Sequence, residues 1–140
     1  MGAGSPRDPN PTQGLDSTPN ARLTILLNMS KPDSQDLSDA LETIHKILGF
    51  AVENGASDIH LKSNKVPVMR QRGTLVEMEG FPPTRPEYIR VFIEQTTYGT
   101  FRDQWEQEFQ VDYAYRMDDI GRFRVNGFMQ RTFPGLVFRL

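Results

Sequence analysis

From position 34 onward, apolar residues return every three or four positions, at Leu37, Leu41, Ile44, Leu48, Ala51 and Val52. That spacing lines one face of an α-helix, and Asp33 or Ser34 offers the side-chain oxygen that caps its start. Gly55, after Glu53 and Asn54, is free to take the left-handed conformation that ends a helix. A period of two then takes over. Ile59 and Leu61 fall on one side of a strand, which leaves Asp58 and His60 on the other. Residues 66–72 and 74–78 read as two short strands folded back at Gly73, with Lys62, Arg70 and Arg72 supplying charge. Pro82, Pro83 and Pro86 make an irregular entry to a second helix, for which Thr84 is the expected cap and Tyr88, Ile89, Phe92 and Ile93 the shared face. A further short helix is expected over 101–109.

The last third alternates. Phe109, Val111, Tyr113 and Tyr115 face one way, and Gln110, Asp112, Ala114 and Arg116 the other. Asp118, Asp119 and Gly121 supply a turn. In the following strand Phe123, Val125, Gly127 and Met129 form one set and Arg122, Arg124, Asn126, Phe128 and Gln130 the opposite one, so two arginines point the same way. A loop holding Pro134 and Gly135 leads to a final strand over Leu136–Leu140. Helix, strands, helix, strands, with few openings for parallel crossovers, predicts an α+β domain over 34–140: a mainly antiparallel sheet with flanking helices.

Residues 1–33 look different. Met1 to Arg22 holds four prolines and three glycines among Ser, Thr and Asn, with almost nothing to bury, so a disordered leader is expected. Leu23 to Met29 is apolar and reads as a short edge strand or a linker. The longest apolar run, around Leu23–Leu27, is far short of the roughly 20 residues that cross a bilayer, so direct membrane insertion is not expected. No secretion signal opens the chain, and a cytoplasmic location fits. A formal charge of −2 gives no overall pull toward nucleic acid, so any cationic site must be local. With no cysteine and two histidines, disulfides and thiolate chemistry are excluded and no metal site is expected.

Several residues invite a functional reading beside a plain one. Asp58 and His60 leave their strand on one side and suggest an acid/base pair; a capping or turn-bonding aspartate and a structural histidine explain them, since nothing nearby supplies a nucleophile or a metal cluster. His45, beside the apolar stripe of its helix, reads as a boundary residue. Phe109, Tyr113, Tyr115 and Phe123 resemble a base-stacking platform, yet their alternation fits core packing. Arg122 and Arg124 on a solvated strand face would form weak ion pairs with residues such as Asp112. Phe128 and Phe133 fall off the apolar pattern and suit contact with a neighbouring subunit.

Three blocks then carry a resemblance: Gly55-Ala56-Ser57-Asp58-Ile59-His60-Leu61 after a helix, Gly121-Arg122-Phe123-Arg124-Val125-Asn126, and Val137-Phe138-Arg139. In this order the stretch from Leu37 to Leu140 resembles the N-terminal domain of the PilT-type ATPases that retract type IV pili. Arg-Phe-Arg-Val-Asn is more similar to the retraction branch than to the extension and type II secretion ATPases. The resemblance implies a PAS-like domain joined to a RecA-like ATPase domain in a hexameric ring. It also implies that Arg124 and Arg139, with Arg122 beside them, reach nucleotide phosphates in the neighbouring subunit, with Asn126, Phe128 and Phe133 at the interface. ATP and Mg belong to the complete family protein, and no cofactor is implied for this chain alone. Implied partners are the neighbour's ATPase domain and a pilus platform protein at the inner face of the inner membrane. Arg72 stands where relatives carry an acidic residue before glycine, and the Pro-rich leader is outside the family pattern. No Gly-Lys pair occurs, so the phosphate-cradling loop is missing, no catalytic residue is expected and the chain by itself would not hydrolyse ATP. The alternative is a stand-alone PAS-like ligand-binding or regulatory module with a closed apolar pocket.

Overall fold

The structure is a computed structural model that describes residues 34–140; the expected leader and the apolar stretch at Leu23–Met29 lie outside the described residues. Helix α1 (Ser34–Glu53) buries Ala40, Ile44, Ile47, Leu48 and Ala51, the expected stripe widened by two positions. Gly55 closes it with a φ of 72°. Strand β1 (Ala56–Lys62) follows, then β2 (Val68–Gln71) and β3 (Thr74–Glu77), joined by a two-residue turn in which Arg72 and Gly73 both have positive φ, 52° and 80°. That mirror-image turn matches the right-handed twist of the strands on either side.

Helix α2 (Pro86–Thr96) begins where Pro86 presets the helical φ, and its N-cap is Arg85, without a side-chain cap bond. Thr84 is not the cap. Its backbone is engaged with the loop after β1, bonding Asn64 N–H at 2.7 Å and the Lys65 carbonyl at 2.9 Å, which holds it one residue short of the helix. Helix α3 (Gly99–Glu108) ends at Phe109, which is a left-handed cap (φ 53°) rather than the first residue of a strand; its N–H bonds the Trp105 carbonyl.

Strands β4 (Gln110–Met117), β5 (Gly121–Gln130) and β6 (Phe133–Arg139) complete a six-stranded sheet in the order β3-β2-β1-β6-β5-β4, with every neighbouring pair antiparallel. The fold is α+β, as predicted. Pro134 and Gly135 belong to β6 rather than to a loop, because the turn is the tighter Arg131–Thr132 pair and Gln130 faces Phe133. The Pro134 carbonyl accepts from Ser63 Oγ at 2.7 Å, beyond the end of the β1 ladder at Lys62, so its missing N–H leaves no rung unpaired.

Ile59, Met69, Tyr113, Val125 and Phe138 share one sheet face and pack with the buried side chains of all three helices in a single core. Phe92 of α2 meets Phe138 and Tyr115 edge-on at ring distances of 5.5 and 5.0 Å. The opposite face carries no helix among the described residues.

Candidate functional site

The register of the sheet sets a row of side chains across the open face: Arg70 on β2, Asp58 on β1, Arg139 on β6, Arg124 on β5 and Ala114 on β4. Neighbours in such a row lie one strand spacing apart, about 4.8 Å. Two residues before Arg124, Arg122 sits opposite Arg116 on the same face. A chain of net charge −2 thus gathers cations on one side of its sheet.

Asp58 is the counter-ion. Arg139 Nε donates to its Oδ1 at 2.9 Å, Arg70 Nε lies 3.6 Å from Oδ2, and Ser57 Oγ donates to Oδ2 at 2.9 Å. The register slip between Ala56 and Asp58 makes Ser57 the extra residue of a bulge, which brings its hydroxyl alongside. The Arg139 bond, helped by Ser57 and opposed by burial, holds the Asp58 carboxyl below the usual carboxylate range. Asp58 is therefore an ion-pair hub, not a capping or turn-bonding residue.

The other predicted residues divide. Among the described residues, neither Arg122 nor Arg124 has a hydrogen-bond or ion-pair partner. Asp112, the partner expected on the plain reading, instead accepts from Asn126 Nδ2 at 3.0 Å. Among the described residues Arg139 is bonded through Nε alone, with 70% of its side chain exposed. Phe128 lies over Gly135 on the adjacent strand: a Cβ added at Gly135 would come within 2.5 Å of the ring, so the ring fills the space a side chain would take. With the half-exposed Phe133 it lines a surface groove of about 260 Å³ shared with Lys62, Lys65 and Arg131.

His60 shares the open face with Asp58, but the two are not hydrogen-bonded; partial burial lowers its pKa, against the pull of the Asp58 charge. His45 is the boundary residue expected, its Nε2 2.6 Å from Tyr115 Oη and its pKa lowered by burial. Tyr113 and Phe123 are buried and Tyr115 is packed against the core, so the aromatics are packing, not a platform. Arg70 was missed as a site residue. The hairpin at Gly73 pairs Arg70 with Leu75, and only the β1–β2 register, with its bulge at Ser57, sets Arg70 opposite Asp58. Among the described residues, no cluster of three or more His, Asp or Glu is placed to hold a metal ion, and no helix is long and apolar enough to cross a membrane.

No family model matches the chain. The type IV pilus retractation ATPase PilT of Pseudomonas aeruginosa is 31% identical over 96 residues, which cover 69% of this chain and 28% of PilT. The type IV pilus ATPase PilU of the same organism is 32% identical over 98 residues, covering 67% of this chain and 24% of PilU. The crystal structure of the pilus retraction motor PilT with bound ADP superposes with a TM-score of 0.61 at 31% identity, over 68% of this chain and 28% of that one. This chain thus spans close to a quarter of the length of these relatives, 28% and 24%. With sequence and fold each in agreement over about two-thirds of its length, the chain belongs to the PilT-like secretion ATPases, where it corresponds to their N-terminal region.

Proposed function

We propose that this domain is the PAS-like, phosphate-facing module of a pilus-retraction ATPase, its arginine face turned toward nucleotide held by the ATPase domain of a neighbouring subunit in a hexameric ring. One observation carries the reading. Arg122, Arg124 and Arg139 stand on adjacent strands, and among the described residues their face carries no helix and the first two have no partner. A guanidinium offers a rigid fork of donors that matches phosphate oxygens, and it keeps its charge at any working pH. Supplied across a subunit boundary, such a fork stabilises the charge that builds up as a phosphoanhydride breaks, and it ties hydrolysis to the approach of two domains. ATP and Mg would sit in the neighbour's ATPase domain, and the arginines of this chain would complete that site from outside. Asn126 and the groove at Phe128 and Phe133 would lie along the same contact. A pilus platform protein at the cytoplasmic side of the inner membrane is the further partner.

The alternative of a ligand-binding module asks for an enclosed apolar cavity. Phe92, Phe123 and Phe138 fill the space between sheet and helices, and grooves of about 260 and 280 Å³ open at the surface. The arginine face remains the better supported site.

The test joins this chain to the ATPase domain of a PilT-like relative and compares Arg124→Ala with the parent. Turnover of ATP should fall by about tenfold or more while the ring still assembles, since a trans arginine acts on the reaction more than on the fold. Equal turnover by the two proteins would sink the reading.

A further inference from the structure

The contacts around Asp58 have a common geometry. Arg139 is gripped by Nε, at 2.9 Å, so both of its terminal nitrogens point past the carboxylate and are unused among the described residues. Arg70 also turns its Nε toward Asp58, at 3.6 Å, while its Nη1 donates to the Gly73 carbonyl at 3.0 Å. One buried carboxylate therefore sits between two guanidiniums on the strands to either side, hydrogen-bonded to Arg139 at its inner nitrogen and ion-paired with Arg70. A third guanidinium, Arg124, stands one strand further along the same row.

We propose that Arg70 is a further phosphate-binding residue of this face, and that Asp58 is a positioning residue that presents Arg70 and Arg139 outward beside Arg124 to a chain of linked phosphates. The proposal rests on the phosphate-facing reading above. Physically, three arginines in a row repel one another and, left alone, would splay into solvent along many rotamers. A carboxylate between two of them offsets that repulsion and removes rotamer freedom before any ligand arrives, so less entropy is lost on binding. Gripping Nε leaves the two-nitrogen end of Arg139 free, and that is the end that meets phosphate oxygens in pairs. As a carboxylate, Asp58 is ionised throughout the neutral range, and its bond to Arg139 moves its pKa lower still. The row also runs across four strands of a hydrogen-bonded sheet, so the spacing of its members is set by the backbone.

Two variants and one probe decide it. The Nε–Hε NMR signals of Arg70, Arg124 and Arg139 are followed as inorganic tripolyphosphate is added to the 140-residue chain. All three should move together with one Kd. Arg70→Gln should weaken binding by about threefold or more, the scale of a single exposed charge contact. Asp58→Asn should also weaken it, with partial recovery in Asp58→Glu. The sign for Asp58 is the decisive readout: deleting a negative charge that merely sits near an anion site would tighten binding, so a lower Kd in Asp58→Asn overturns the positioning role. Should Asp58→Asn not fold, Arg70→Gln decides: an unchanged Kd in that variant, together with an Arg70 signal that stays still in the parent chain while those of Arg124 and Arg139 respond, overturns the proposal. If none of the three signals moves, the phosphate-facing reading itself fails, and this proposal with it.

Discussion

Phe138 holds the arginine row in place from the other side of the sheet. It is fully buried between Val137 and Arg139, and it meets Phe92 and Phe123 edge-on at ring distances of 5.5 and 5.9 Å. Side chains alternate along a strand, so anchoring Phe138 inward forces Arg139 outward beside Asp58. Replacing it with Ala removes a ring and leaves a cavity that neighbouring aromatics, themselves packed, cannot close. The expected cost is about 3–5 kcal/mol, read as a lower urea midpoint with unchanged slope. A loss below about 1 kcal/mol would mean that other contacts fix the register of β6. Arg139 itself was visible in the sequence as part of Val-Phe-Arg, but its partner was not. The Asp58–Arg139 bond joins residues 81 positions apart, and no local pattern encodes a pairing at that range.

At the scale of elements, the β2–β3 hairpin makes a sharper prediction than any helix. Its turn puts Arg72 at a φ of 52°, a left-handed conformation that costs an L-residue with a full side chain roughly 1 kcal/mol. Asn tolerates that region, and Asn-Gly is the preferred pair for a two-residue turn of this hand. Arg72→Asn should therefore stabilise the domain by about 0.5–1 kcal/mol, seen as a rise in thermal midpoint, whereas Gly73→Ala, at a φ of 80°, should lower it. A fall in the Arg72→Asn midpoint would show that the arginine side chain has a stabilising contact of its own. The hairpin was legible because Gly73 interrupts two runs of the right length. So were α1 and the β4–β5 pair, whose apolar periods are unbroken. Elements bounded by proline were harder to place. Pro134 reads locally as a loop residue, and only the short reach of β1 makes it tolerable inside β6. Thr84 reads locally as a helix cap, but the pairing of its backbone with the loop at Asn64 and Lys65 takes it away from the helix. The candidate site follows the same rule. Arg122 and Arg124 could be placed on one face from a single strand, whereas Arg70 joined them only once the order of strands was known.

For the whole molecule, the response to acid follows from three groups whose pKa values all move the same way. His45 and His60 are lowered from 6.5, each chiefly by burial, and Asp58 is lowered from 3.8, chiefly by its bond to Arg139. In each case the unfolded chain takes up the proton more readily than the folded one, so stability rises with pH across the window between the two values. For the histidines the contribution is complete above pH 6.5 and is lost as pH falls below it; for Asp58 it is complete above 3.8 and is lost lower still. Thermal midpoints should accordingly be flat above about pH 7, slope gently downward from about pH 6, and fall again below about pH 4. A His45→Gln, His60→Gln double variant should flatten the first descent and leave the second, and Asp58→Asn should do the reverse. If the double variant keeps the whole of the first descent, the histidines are not its source.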